Sequence, residues 1–307
     1  YQDVYKLEPG TVLTLDFGHE PQLEKFWDAR KVALDGKRNP LVGDDALLID
    51  QLEALLVDAV GKRMMADVPL GAFLSGGIDS STVAALMKAA NAGPVRTFSI
   101  GFEQAAFNEA PHAAAIARHL GTDHTELTVT SREALEVVPK LAEIFDEPFA
   151  DSSQIPTYLV SAMTRKHVTV ALSGDGGDEL FSGYNRYQLT RRSWRTLSLA
   201  PAFARRAFAA GLTSLSAERW NAIFKNFPDD CYPRLPGDKI HKFARVLGLN
   251  NADELYRRLV SHWDPGDITP GVAEPHGILW DKTVQADFPD LLDRMQFLDM
   301  VTYLPDD

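Results

Sequence analysis

The residues best equipped for chemistry lie in Leu74-Ser75-Gly76-Gly77-Ile78-Asp79-Ser80-Ser81. Two adjacent glycines let the backbone turn sharply and bring its N–H groups close to a ligand, and the hydroxyls of Ser75, Ser80 and Ser81 add further donors. Donors in that density suit phosphate oxygens, the more so where a helix begins just beyond them. Asp79 is the odd member of such a cradle. A carboxylate repels phosphate unless a cation sits between them, which points to a magnesium-bridged nucleotide. The same residues also make good turn and capping chemistry, with Asp79 or Ser80 as a helix N-cap and no ligand at all. The spacing excludes both Gly-x-x-x-x-Gly-Lys-Ser/Thr and Gly-x-Gly-x-x-Gly. A second cluster reads Ser173-Gly174-Asp175-Gly176-Gly177-Asp178-Glu179. Its acids could ligate magnesium or pair with a cationic group of a substrate, or the segment could be a plain loop.

Both clusters need elements that hold them. The apolar run 68–73 reads as a buried strand leading into the first cluster, and 82–88 reads as a helix leaving it. The β-branched run 168–172 is a second strand, emptying into the second cluster. Strand-like 68–74, helix-like 80–91, strand-like 95–101, helix-like 109–119, strand-like 124–129, helix-like 132–145, helix-like 154–166 and strand-like 168–173 alternate as an α/β fold requires. The expected architecture is a doubly wound parallel sheet followed by a mainly helical region. Ligands on such sheets bind at the carboxyl ends of strands, where both clusters fall. Leu48, Leu52, Leu55, Leu56 and Val60 share one helical face and are expected in the core. Asn108 can cap the helix that follows it and Gly121 can end it, so His112, His119 and His124 need no catalytic role.

The form Ser-Gly-Gly-x-Asp-Ser resembles the PP-loop of the ATP pyrophosphatase superfamily, whose members cleave ATP between the α and β phosphates and hold pyrophosphate on this loop. The stretch FDEPFADSSQIPTYLVSAMTRKHVTVALSGDGGDELFSGYNRY, residues 145–187, is similar to the synthetase domain of glutamine-dependent asparagine synthetases. That resemblance implies ATP and Mg2+ as cofactors and adenylation of a carboxylate, the aspartate side chain, followed by attack of ammonia to give asparagine. It implies that Ser75, Gly76, Gly77, Asp79, Ser80 and Ser81 hold the pyrophosphate, with Leu74 and Ile100 beside the adenosine and Ser173 and Gly174 contacting the nucleotide. Asp79 and Asp178 would be metal ligands. Asp175 would be the acid tied to acyl-adenylate formation, and Tyr184 would stand on the substrate side with Asp151 and Ser152. By analogy the last two face the site, while Asp-Ser after Pro148 equally reads as a helix cap before 155–166. Many members of the family carry glutamate and serine where this chain has Asp175 and Gly177. The same chemistry on another carboxylate, as in β-lactam synthetases, peptide cyclases or polysaccharide-pathway amidotransferases, is the alternative, and a non-catalytic nucleotide-binding domain is a third reading.

The resemblance divides the chain into 1–35, the end of an amino-terminal glutaminase domain; 36–190, the ATP-binding core; and 191–307, a helical extension expected to be truncated. Ammonia would come from the glutaminase domain, which needs an amino-terminal cysteine where this chain has Tyr1. The family leaves room for a homodimer. The chain has 307 residues, is 45% hydrophobic and 24% charged, and carries a net charge of -12. That balance argues against binding a nucleic-acid backbone. A lone Cys231 rules out an internal disulfide and a Cys-x-x-Cys metal pair. With no membrane-spanning run and no signal peptide in view, a cytoplasmic location is expected. Arg186, Arg191, Arg192, Arg195, Arg205 and Arg206 form an acid-free basic stretch, read as a solvated face or as a docking surface.

Overall fold

A computed structural model describes residues 3–91, 93–103, 108–145, 151, 153–224, 236–261, 263, 271 and 277–305. The chain divides into two compact units, residues 1–181 with 300–307 and residues 182–299. The sequence places the second break at 190, which falls inside a continuous helix; a hydrogen-bonded turn is a poor place for a boundary, and the division comes at Ser182 instead.

In the first unit, β1 (Thr11–Thr14) and β2 (Gln22–Lys25) form an antiparallel hairpin. Then come α1 (Ala29–Arg38), α2 (Asp45–Arg63), β3 (Leu70–Phe73), α3 (Ile78–Ala90), β4 (Arg96–Phe102), α4 (Ala110–Leu120) and β5 (Asp123–Val129). Next are α5 (Ser131–Val137), α6 (Leu141–Phe145), α7 (Gln154–Thr164), β6 (Val170–Leu172) and α8 (Gly177–Phe181). The four later strands make one parallel sheet in the order β5-β4-β3-β6. The boundaries lie within a few residues of those the periodicity predicts, and helices cover both faces. Ala72 meets Val60 of α2 and Met87 of α3 on one face. Phe98 meets Val160 and Met163 of α7 on the other, joined by Ile100. Leu74, Ala84, Ala113 and Ala117 lock α3 to α4, with small side chains allowing close approach. Thr97 and Ser99 of β4 point toward α4 and bond His124 at 2.9 and 3.1 Å, and burial pushes that imidazole's pKa down.

The expected core face of α2 is corrected by the structure. Only Val60 of the five residues is buried, while Leu55 is 64% exposed. The helix meets the central core cluster near its carboxyl end, through Val60 and the adjoining Met64. Periodicity identified a face but could not say that something covers it.

The second unit is helical: α9 (Asn185–Leu197), α10 (Ala202–Thr213), α11 (Ala217–Phe224), α12 (Pro236–Leu247), α13 (Ala252–Val260), α14 (Lys282–Asp287) and α15 (Leu291–Thr302), whose last residues count with the first unit. Its centre is polar. Asp299 is 1% exposed and accepts from Arg186 Nη2 at 2.8 Å, Tyr187 Oη at 2.6 Å and Tyr256 Oη at 2.5 Å. Burial is the largest single influence on the Arg186 charge and works against it, but the bond to Asp299, the Asp299 charge and the neighbouring tyrosines together outweigh it and hold its pKa up. Burial, followed by the Asp299 charge, pushes the Tyr256 hydroxyl pKa far up. Arg205 is buried and donates to the carbonyls of Ala200, Leu247 and Leu249. Arg186 and Arg205 therefore leave the solvated basic face, whereas Arg191, Arg192 and Arg195 are exposed on α9.

Candidate active site

The first loop is built by β3 ending where α3 begins. Leu74 N–H donates to the Phe98 carbonyl at 2.8 Å, extending the ladder one residue past β3. Gly76 then takes φ +86°, and a Cβ there would stand 2.9 Å from the Ala113 nitrogen on α4. Glycine is required on both counts. The N-cap of α3 is Gly77, with no side-chain cap, so Asp79 and Ser80 lie inside the first turn and the capping alternative is removed. The hydroxyls brace the loop: Ser75 Oγ and Ser80 Oγ are 2.9 Å apart, Gly77 N–H donates to Ser75 Oγ at 3.2 Å, and Ser81 Oγ donates to the Gly77 carbonyl at 2.5 Å. A helix start with no side-chain cap is a place where an anion is stabilised.

The second loop leaves β6 beside the first and presses against it. A Cβ on Gly174 would stand 2.7 Å from the Ser80 nitrogen and 3.0 Å from the Asp79 carbonyl carbon, and one on Gly177 would stand 2.5 Å from Asp79 Cγ. The glycines of the second cluster are thus the surface on which Asp79 and Ser80 sit. This contact joins segments about a hundred residues apart, and no spacing in the sequence signals it. Gly176 adopts φ +86° between the two acids. Asp175 is exposed, and Asp178 and Asp79 are half-buried. Burial, and after it the neighbouring Asp178 charge, pushes the Asp79 pKa up. Two carboxylates that repel one another offer hard oxygen donors to a cation.

Among the described residues no group of three or more His, Cys, Asp or Glu side chains could hold a metal. Magnesium commonly takes one or two carboxylates and completes its shell with water and substrate phosphates, so the pair Asp79 and Asp178 fits that ion. Ser173 and Gly174 lie beside this pair, and Leu74 is buried under the loop. Ile100 is half-buried at the carboxyl end of β4, packed toward α7. Asp151 uses its carboxylate on protein groups, accepting from Ser153 N–H at 2.7 Å and from the Tyr303 hydroxyl. Ser152 lies outside the described residues, as does Cys231. Tyr184 belongs to the second unit, with the Arg186 guanidinium 3.8 Å from its ring centroid. Sequence reasoning passed over Lys62 and Arg63, which rim a cavity of about 370 Å3 walled by Val60, Val83, Leu172 and Ser173. Their position in the last turn of α2 was the available signal.

A strand-to-helix glycine loop and a second, acidic loop at the carboxyl ends of adjacent parallel strands define an α/β protein with its candidate site where such sheets bind ligands. Residues 51–307 match the family model for asparagine synthase, and the chain belongs to that family. A relative from Methanocaldococcus jannaschii is 42% identical over 188 residues, 60% of this chain and 35% of its own length. The protein named asparagine synthetase [glutamine-hydrolyzing] 1 of Bacillus subtilis is 37% identical over 185 residues, 60% of this chain and 28% of its own. A relative from Mycobacterium bovis is 34% identical over 272 residues, 88% of this chain and 39% of its own. The chain thus spans roughly a third of the length of the curated relatives it matches. Among the described residues no helix is long and apolar enough to cross a membrane.

Proposed function

We propose that the protein is an ATP-dependent amide-forming ligase that adenylates a carboxylate and passes the acyl group to ammonia. The observation that carries this reading is the interlocking of the two loops in a member of the asparagine synthase family: Gly174 and Gly177 lie against Asp79 and Ser80, and the Asp178 charge acts on Asp79. A carboxylate oxygen of the substrate attacks the α-phosphorus of ATP, the bond from that phosphorus to the bridging oxygen breaks, and pyrophosphate leaves. Ammonia then adds to the acyl carbon, AMP departs, and a proton is released. Ser75, Gly76, Gly77, Ser80 and Ser81 bind and orient the leaving pyrophosphate, with Leu74 and Ile100 beside the adenosine. Asp79 and Asp178 would hold Mg2+, which neutralises phosphate charge as it develops. Asp175 orients the reacting groups, and the family resemblance puts Tyr184 on the substrate side. Aspartate is the favoured carboxylate, ammonia would be supplied by a glutaminase domain elsewhere in the protein, and a reducing cytoplasm suits the single cysteine.

The test is exchange of labelled pyrophosphate into ATP with a panel of carboxylic acids. Aspartate-dependent exchange is the expected result. Exchange with a different acid moves the substrate, and Mg-ATP binding without any exchange favours a nucleotide-binding domain that does not catalyse.

A further inference from the structure

Tyr303 and Leu304 follow α15 and belong to the same compact unit as both loops. The Tyr303 hydroxyl donates to Asp151 Oδ2. The other oxygen of that carboxylate accepts the Ser153 N–H at 2.7 Å, and the Gln154 side chain donates to the Asp151 carbonyl at 2.6 Å. Asp151 is therefore a rigid anchor at the start of α7. One residue beyond Tyr303, Leu304 lies behind the acidic loop, its Cδ2 3.5 Å and its Cδ1 3.9 Å from the point where a Cβ of Gly176 would stand. Gly176 is the left-handed turn that sets the direction of the chain between Asp175 and Asp178. A branched side chain at ordinary contact distance from that space borders the turn on one side and narrows the range through which it can swing.

We propose that Tyr303 is a positioning residue: anchored on Asp151, it holds Leu304 behind Gly176 and keeps the acidic loop in the conformation that presents Asp175 and Asp178. The proposal rests on the ligase reading above. Tyr303 need touch no substrate, because a shift of about 1 Å at catalytic groups, transmitted through packing, is enough to cost roughly a hundredfold in rate.

Tyr303→Phe keeps the ring and removes only the hydroxyl, and Leu304→Ala leaves the anchor and empties the space behind the turn. Each is examined by amide hydrogen exchange of the peptides covering 173–181 and 96–102, by calorimetry with Mg-ATP, and by acid-dependent pyrophosphate release. Both variants should exchange at least fivefold faster across 173–181 and unchanged across 96–102. Pyrophosphate release should fall tenfold or more, with Mg-ATP affinity held within twofold. Asp151→Asn keeps an acceptor for the hydroxyl and should fall between Tyr303→Phe and the parent. Unchanged exchange at 173–181 overturns the proposal, and so does equal acceleration in both peptides, which would mean general loosening. If the parent protein releases no pyrophosphate with any acid, the ligase reading fails while the exchange data still decide the role of Tyr303. Should Tyr303→Phe not fold, Leu304→Ala and Asp151→Asn carry the decision.

Discussion

Substituting Gly174 by alanine tests the idea that contact between the loops makes the site. The new Cβ would stand 2.7 Å from the Ser80 nitrogen, where ordinary contact begins at 3.4 Å, and 3.0 Å from the Asp79 carbonyl carbon. Both atoms are backbone in the first turn of α3, so neither can rotate away, and the loops must separate by about 0.7 Å. Overpacking of this kind costs about 1–3 kcal/mol. A displacement approaching 1 Å between catalytic groups costs on the order of a hundredfold in rate. Gly174→Ala should therefore stay folded with a lowered melting temperature, while pyrophosphate exchange falls far more than stability does. Parallel thermal denaturation and exchange assays make the comparison. Gly177→Ser provides the contrast, because its Cβ meets only the side chain of Asp79, whose carboxylate can turn aside while its Cβ, 2.9 Å away, stays fixed; it should cost less stability than Gly174→Ala and raise the magnesium requirement. Exchange by Gly174→Ala at the parent rate would refute the argument that the second loop positions the first.

Asp79→Asn should weaken Mg-ATP binding by roughly the 10- to 100-fold typical of a disturbed metal site, measured by calorimetry. Because the folded protein raises the Asp79 pKa, stability falls as pH rises from its ordinary value through the folded one, and at neutral pH the ionised group is a burden; without magnesium the asparagine variant should melt higher than the parent. His124 has the opposite linkage: its folded pKa lies below the ordinary 6.5, so its contribution is full above that value and is lost as pH falls below it. Urea titrations at pH 7.5 and 5.5 should show a smaller loss in His124→Gln, and an equal loss would remove His124 as the cause. Asp299→Ala leaves Arg186, Tyr187 and Tyr256 without their shared acceptor and should destabilise by about 3–5 kcal/mol, read by denaturant unfolding.

Much of the first unit was legible because its signals are local. Glycine and hydroxyl clusters directly follow β-branched or apolar runs, so strand, loop and helix are written in consecutive residues, and the parallel sheet follows from their alternation. What the sequence does not carry is long-range contact. Leu55 has the same helical periodicity as Val60 and lacks only the neighbour that buries Val60. Arg186 and Arg205 look like members of a solvated basic run until Asp299 and the carbonyls of Leu247 and Leu249 are placed against them. Asp151 carries no local sign of its partner Tyr303, which lies 152 residues away.

The Asp299 cluster also has a consequence in time. Arg186 and Asp299 are separated by 113 residues, and at a synthesis rate of about 5–20 residues per second roughly 6–23 s pass between their appearances on the ribosome. During that interval Arg186, Tyr187 and then Tyr256 emerge without the carboxylate that satisfies them, and burying them early leaves polar groups unpaired. Four residues after Asp299 comes Tyr303, the partner of Asp151 in the other unit. A short stretch late in the described chain thus completes the polar interior of one unit and the anchor of the other, so neither can settle into its final packing while that stretch is still being made.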